Sequence, residues 1–150
     1  MLTAADVMTR DVITVKKETT IRELAELFTQ HRISSAPVVD DNGEMIGIVT
    51  ETELIEQDKS LHIPTVISLF DWVIYLESDK KFEKELNKMT GQTVGDIYTH
   101  KVETVMPATP VSDLADIMSS RKINAIPVVE GNKVIGIVAR IDLIRTMVRR

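Results

Sequence analysis

The apolar positions of this chain change their period along its length, and they do so in the same order twice. Ile21, Leu24, Ala25, Leu27 and Phe28 recur at steps of one helical turn and fall on one stripe, which predicts an amphipathic helix. Thr20 precedes it and Glu23 stands at the third helical position, the reciprocal pairing that starts a helix. Ala36 to Asp40 and Met45 to Thr50 are apolar runs rich in β-branched residues and read as strands. Between them, Asp41-Asn42-Gly43 contains an Asn-Gly pair that tolerates positive φ, so the two runs are expected to form a hairpin. One helical turn is expected over Ala4 to Met8, a short strand over Val12 to Val15 and a second helix from Glu51. The later part of the chain predicts a strand near Val102 to Val105 and a helix from Pro110 through Ser119. Strands at Ile126 to Glu130 and Lys133 to Ala139 follow, then a helix to the C-terminus.

The repetition extends to the residues themselves. Asp6-Val-Met-Thr-Arg-Asp-Val-Ile-Thr-Val15 returns as Asp96-Ile-Tyr-Thr-His-Lys-Val-Glu-Thr-Val105, and His31-Arg-Ile-Ser-Ser-Ala-Pro-Val-Val39 as Arg121-Lys-Ile-Asn-Ala-Ile-Pro-Val-Val129. Met45-Ile-Gly-Ile-Val49 returns as Val134-Ile-Gly-Ile-Val138. The copies are ninety positions apart as far as Pro37 and Pro127 and eighty-nine apart from Gly47 and Gly136, so one turn is a residue shorter. Two copies of one strand-helix-strand-strand-helix unit imply a pseudo-twofold module with paired clefts, divided as 1-58, 59-92 and 93-150.

The middle segment is not explained by the repeat. His62 to Leu76 holds the only Trp, Trp72, together with Phe70, Tyr75 and many aliphatic residues, but it is too short and too interrupted by Asp71 to span a membrane. Ser78-Asp79 can cap a second helix with Phe82, Leu86 and Met89 on one face, stopped by Gly91. The insert is therefore expected to be two helices, serving as cover for the module, as a self-association contact through Trp72 and Phe70, or as a membrane-surface contact.

Composition narrows the function. At 150 residues the chain can bury a real core, and its net charge of -5 offers no basic field for a nucleic-acid backbone. The absence of Cys removes disulfides, thiol nucleophiles and thiolate metal sites and fits a reducing cytoplasm. Met1-Leu-Thr-Ala-Ala leads into Asp6 and Arg10 with no apolar h-region, so no signal peptide is expected. His31, His62 and His100 lack metal-ligand spacing, and no nucleophile elbow or glycine-rich phosphate loop occurs among the six glycines.

The duplicated markers resemble the cystathionine-beta-synthase (CBS) domain in tandem, over residues 3 to 58 and 93 to 148. They are the Ala36-Pro37-Val38-Val39 and Ile126-Pro127-Val128-Val129 segments and the Gly-x-x-Thr-x-x-Asp-like turns from Gly47 through Thr50 to Glu53 and from Gly136 through Ala139 to Asp142. The resemblance implies an α/β fold of two βαββα motifs whose clefts hold an adenosine-type ligand such as AMP, ADP, ATP or S-adenosylmethionine. It further implies a swapped arrangement. One cleft would join Asp142, Arg140, Ala139 and Ile137 to Asp11, Ile13, Ile33 and Ser34; the other would join Thr50, Glu53 and Ile48 to Lys101, Glu103, Ile123 and Asn124.

The residue types give these places their chemistry. A carboxylate accepts from ribose hydroxyls, and a strand that ends in Thr50 and feeds a helix presents a hydroxyl with free N–H groups at the positive helix end. The first cleft keeps the carboxylate at Asp142 but has Ala139 in place of a hydroxyl, with Arg140 as the compensating phosphate partner. The second keeps Thr50 but has Glu53 and Glu103, which disfavour an anion beside the single Lys101. Thr50 also reads as an N-cap, and Asp142 and Glu53 as carboxylates favoured by the first turn. The first cleft is the favoured one, and a triphosphate is disfavoured. The expected function is a regulatory sensor, a homodimer or partner of an unidentified protein target, without catalysis. The alternative is an assembly scaffold with degenerate clefts.

Overall fold

The computed structural model of the chain describes residues 1–60 and 92–148. Its elements are α1 (Ala4–Val7), α2 (Ile21–His31), β1 (Ser35–Val39), β2 (Met45–Thr50), α3 (Glu51–Ser60), α4 (Val94–Ile97), α5 (Val111–Arg121), β3 (Ala125–Glu130), β4 (Lys133–Ala139) and α6 (Arg140–Val148). The expected helices over His62 to Leu76 and after Ser78, with the Trp72 and Phe70 contact, lie outside the described residues.

These elements form a mixed α/β fold with two compact units, Met1–Ile13 with Asn42–Met45 and Lys101–Arg150, and Thr14–Asp41 with Ile46–His100. The units are not the two sequence copies. Each takes its opening turn from the other copy: α1 belongs with β3, β4 and α6, and α4 belongs with α2, β1 and α3.

In the first unit β3 and β4 pair antiparallel, with Ala125 opposite Ala139, Pro127 opposite Ile137, and a bulge between Val128 and Val129. A two-residue turn joins them, and its Gly131 has φ of 62°, a conformation cheap only for glycine. The core gathers Ala4, Met8, Val105, Leu114, Met118, Ile126, Val128 and Val138. Ala4 is held there by its N–H, which donates to Thr109 O at 2.8 Å.

In the second unit β1 pairs with β2, and Gly43 turns the longer connection with φ of 79°. Val15, Ile21, Leu24, Phe28, Ala36, Val38, Val49, Leu54, Val94 and Tyr98 make its core. Of the expected apolar stripe of α2, Ile21, Leu24, Ala25 and Phe28 are buried, and Leu27 packs half-buried against the same core. Its expected N-terminal pairing is present. Glu23 N–H donates to Thr20 Oγ1, and Thr20 N–H donates to Glu23 Oε1, both at 3.1 Å. The equivalent helix α5 starts after Pro110, which has no side-chain acceptor. Thr20→Ala is therefore expected to cost about 1 kcal/mol, read as a lowered thermal midpoint; an unchanged midpoint would remove the cap from the stability of α2.

The two expected first strands are shorter than their β-branched composition predicts. Val12 to Val15 and Val102 to Val105 contribute one parallel bridge each, Val15 to Val38 and Val105 to Val128. The physical reason lies just downstream. Lys16 N–H donates to Thr19 Oγ1 and Met106 N–H to Thr109 Oγ1, each at 3.1 Å, so a side-chain-capped turn curls the backbone away after one pairing.

Candidate functional site

The first candidate turn lies where β4 gives way to α6. Asp142 follows by three residues and is the one buried charged side chain among the described residues, 7% exposed. Its Oδ2 accepts from Ala139 N–H at 2.8 Å, satisfying one of the free donors at the start of α6. Its Oδ1 faces Arg145 Nη1 at 3.4 Å, an ion pair whose arginine is 62% exposed and therefore weakly held. Arg140 donates from its N–H to Asn124 O at 3.1 Å and from Nε to Ile123 O at 3.4 Å. This fixes the base of the Arg140 side chain while the residue stays exposed.

Beside Asp142 opens a cavity of about 210 Å³, lined by Asp6, Val7, Met8, Thr9, Asp142, Arg145 and Thr146. Part of its wall is the end of α1 and the turn after it, tied to β4 by reciprocal bonds between Thr9 and Ile137 (Thr9 N–H to Ile137 O, 2.9 Å; Ile137 N–H to Thr9 O, 3.0 Å). Asp6 is held below its ordinary carboxylate pKa, first by the Thr3 N–H bond and then by the Thr3 hydroxyl. It thus stays ionised on the cavity rim at neutral pH.

The second candidate turn, from β2 into α3, holds its carboxylate differently. Glu53 Oε2 accepts from Thr50 N–H at 3.0 Å and from the Thr50 hydroxyl, while Glu53 Oε1 accepts from Thr99 Oγ1 at 2.7 Å. Thr50 Oγ1 also accepts from Thr52 N–H at 3.2 Å, so it is the helix cap of α3 as well. Glu51 N–H donates to Ser34 O at 2.9 Å.

The structure thus groups the expected residues in a definite way. Asp142, Arg140, Ala139, Ile137, Asp11 and Ile13 belong to the first unit, together with Lys101, Glu103, Ile123 and Asn124. Thr50, Glu53, Ile48, Ile33 and Ser34 belong to the second. The pre-Pro segment bonded to each turn is the one of its own copy, Ile123-Asn124 at Arg140 and Ser34 at Glu51. Glu103 pairs with Arg121 at 3.2 Å.

The cavity walls Thr9, Arg145 and Thr146, and the Glu53 partner Thr99, were not singled out by the residue patterns. Thr9 and Thr99 did carry a signal, because the same residue stands at the same place in both copies. Gly47 and Gly136 serve close packing. A Cβ on Gly47 would press into Thr99 O and the Tyr98 ring, and one on Gly136 into the Met8 side chain.

This pair of α/β units, each with a carboxylate folded back on a strand-to-helix turn, is the architecture of a tandem CBS module. The chain belongs to the CBS domain family, whose model matches residues 4–60 and 94–149. It is similar to an uncharacterized protein of Methanocaldococcus jannaschii, MJ1426, 29% identical over 95% of this chain and 89% of that one. It spans 63% and 62% of the chloroplast CBS domain-containing proteins CBSX1 and CBSX2 of Arabidopsis thaliana, with 32% and 29% identity. Among solved structures it is similar to CBSX2 in complex with AMP, with a TM-score of 0.75, 26% identity and coverage of 99% of this chain and 98% of that one. It is also similar to the CBS domain pair of protein MJ0100 in complex with 5'-methylthioadenosine and S-adenosyl-L-methionine, with a TM-score of 0.73, 25% identity and coverage of 99% and 98%. No helix among the described residues is long and apolar enough to cross a membrane.

Proposed function

We propose that this CBS pair is a regulatory module that binds an adenosine-type ligand at the Asp142 turn and carries out no chemistry of its own. The observation that carries the proposal is the buried Asp142 carboxylate at the edge of a polar cavity of about 210 Å³. That volume falls below the range of about 300–1,000 Å³ of sites that enclose a whole drug-sized ligand. It suits a ribose, with base and phosphate or sulfonium extending beyond it. Asp142 Oδ1, held only by an exposed arginine, accepts from a sugar hydroxyl; Ile137 and Ile13 supply apolar contact; Arg140 supplies the charge for a phosphate or carboxylate. The relatives solved with AMP and with S-adenosylmethionine support the ligand class.

Occupancy acts by population. A ligand that prefers one arrangement of the module shifts the equilibrium by its differential affinity, and a bound target or partner copy responds. The exposed apolar stripe Ile141, Ile144, Met147 and Val148 on α6 supports a homodimer as part of this proposal.

Thermal unfolding tests it directly. AMP or S-adenosylmethionine at a hundred times its Kd is expected to stabilise the chain by about 2.7 kcal/mol. Asp142→Asn is expected to abolish that shift and Glu53→Ala to leave it. The scaffold alternative is kept alive by Ala139, which offers no hydroxyl, and by Glu53, whose oxygens are already engaged. It expects no shift from any adenosine compound, and such a result with folded protein would displace the sensor.

A further inference from the structure

The two turns are equivalent in sequence, yet one opens on a cavity and the other is bridged. Thr9 and Thr99 are counterparts ninety positions apart, and Asp142 and Glu53 are counterparts eighty-nine apart. Thr9 and Asp142 both line the cavity, and among the described residues the two make no hydrogen bond. Thr99 instead donates to Glu53 Oε1 at 2.7 Å. The two carboxylates differ by one methylene: Glu53 keeps the bond to the N–H at the start of its turn, as Asp142 does, and reaches across to the threonine as well.

We infer that the Glu53 to Thr99 hydrogen bond is a built-in plug, which fills in one unit the place that a sugar hydroxyl takes in the other and limits the module to one adenosine ligand per chain. This rests on the proposed function for the ligand class, but the plug itself does not. Both carboxylate oxygens of Glu53 are engaged: Oε1 accepts from Thr99, and Oε2 from the N–H and hydroxyl of Thr50. A ligand would have to break a bond between fixed groups before making its own. Asp142 presents no such barrier, because its second partner is the exposed Arg145, which swings away at little cost. Residue 53 thereby sets the stoichiometry of the module, and Thr9 becomes a ligand contact.

Isothermal titration calorimetry of the full chain with AMP, and separately with S-adenosylmethionine, reads the first consequence. The wild-type chain is expected to take one ligand and Glu53→Asp two, because the shorter acid keeps its cap but releases Thr99. Asp142→Asn combined with Glu53→Asp is expected to return to one. Two ligands on the wild-type chain, or one on Glu53→Asp, would overturn the plug. Urea unfolding without ligand reads the second consequence. Thr99→Val is expected to lower the midpoint of the wild-type chain and to leave that of Glu53→Ala in place; equal shifts in both backgrounds overturn the plug. If the wild-type chain binds neither compound while the urea shifts differ as expected, the plug stands and the ligand assignment falls.

Discussion

Gly47→Ala is expected to unfold the second unit far more readily than Gly136→Ala unfolds the first. Both glycines sit in the inner part of a strand at the same place of the repeat, and both are buried. Their neighbours differ in what can yield. A methyl on Gly47 meets the Thr99 backbone oxygen and the ring of Tyr98, which is 8% exposed and packed in the core. That carbonyl is itself fixed, because it accepts from Ile48 N–H at 3.0 Å while Thr99 N–H donates to Ile48 O at 2.8 Å. Relief would require the strand contact to open. The nearest atoms to a methyl on Gly136 are all in the side chain of Met8, an unbranched thioether with three rotatable bonds that can bend aside. Overpacking usually costs about 1–3 kcal/mol. Gly47→Ala is expected at or above the top of that range and Gly136→Ala in its lower part, seen as a larger loss in urea midpoint followed by circular dichroism. Equal losses, or a neutral Gly47→Ala, would show that the Tyr98–Thr99 turn can move away from β2.

The second large effect is expected at Leu54. It is wholly buried in the core of its unit, in one cluster with Val38, Val49 and Val94. Truncation to alanine removes three carbons from a packed interior and leaves a cavity, a change worth about 2–5 kcal/mol. Its counterpart Leu143 on α6 is half-buried at the margin of the other core. Leu143→Ala is therefore expected to cost roughly half as much, since part of its side chain is already in water. The comparison uses one residue type, one repeat position and two burial states, so helix propensity cancels. A thermal midpoint that falls equally in both variants would contradict the burial difference between the units.

Much of this was written in the residue order. The repeat, the helix stripe from Ile21 to Phe28, the Thr20–Glu23 pairing and the glycine turn at Gly43 all come from interactions between near neighbours, and each is present. β2 and β4 run over the expected spans. The first strands shrank to single bridges because a capped turn competes with β-branched preference at Lys16 and Met106, and preference alone does not weigh the two. The Asp142 turn was legible from its pattern, whereas its cavity was not. That space is bounded by Asp6 to Thr9, more than a hundred residues away along the chain.

By itself, then, the sequence determined two copies of one unit, the start of the helix after Thr20, the paired strands of each copy, and the turns that carry Thr50, Glu53 and Asp142. Only the tertiary structure decided that α1 packs with the second copy's core and α4 with the first's, and that Glu53 meets Thr99 while Asp142 is left open. Periodicity and capping act over a few residues, through one turn or one pleat. A hydrogen bond between side chains forty-six positions apart depends on where folding brings two distant backbones and on the length of one methylene, and no local pattern records either.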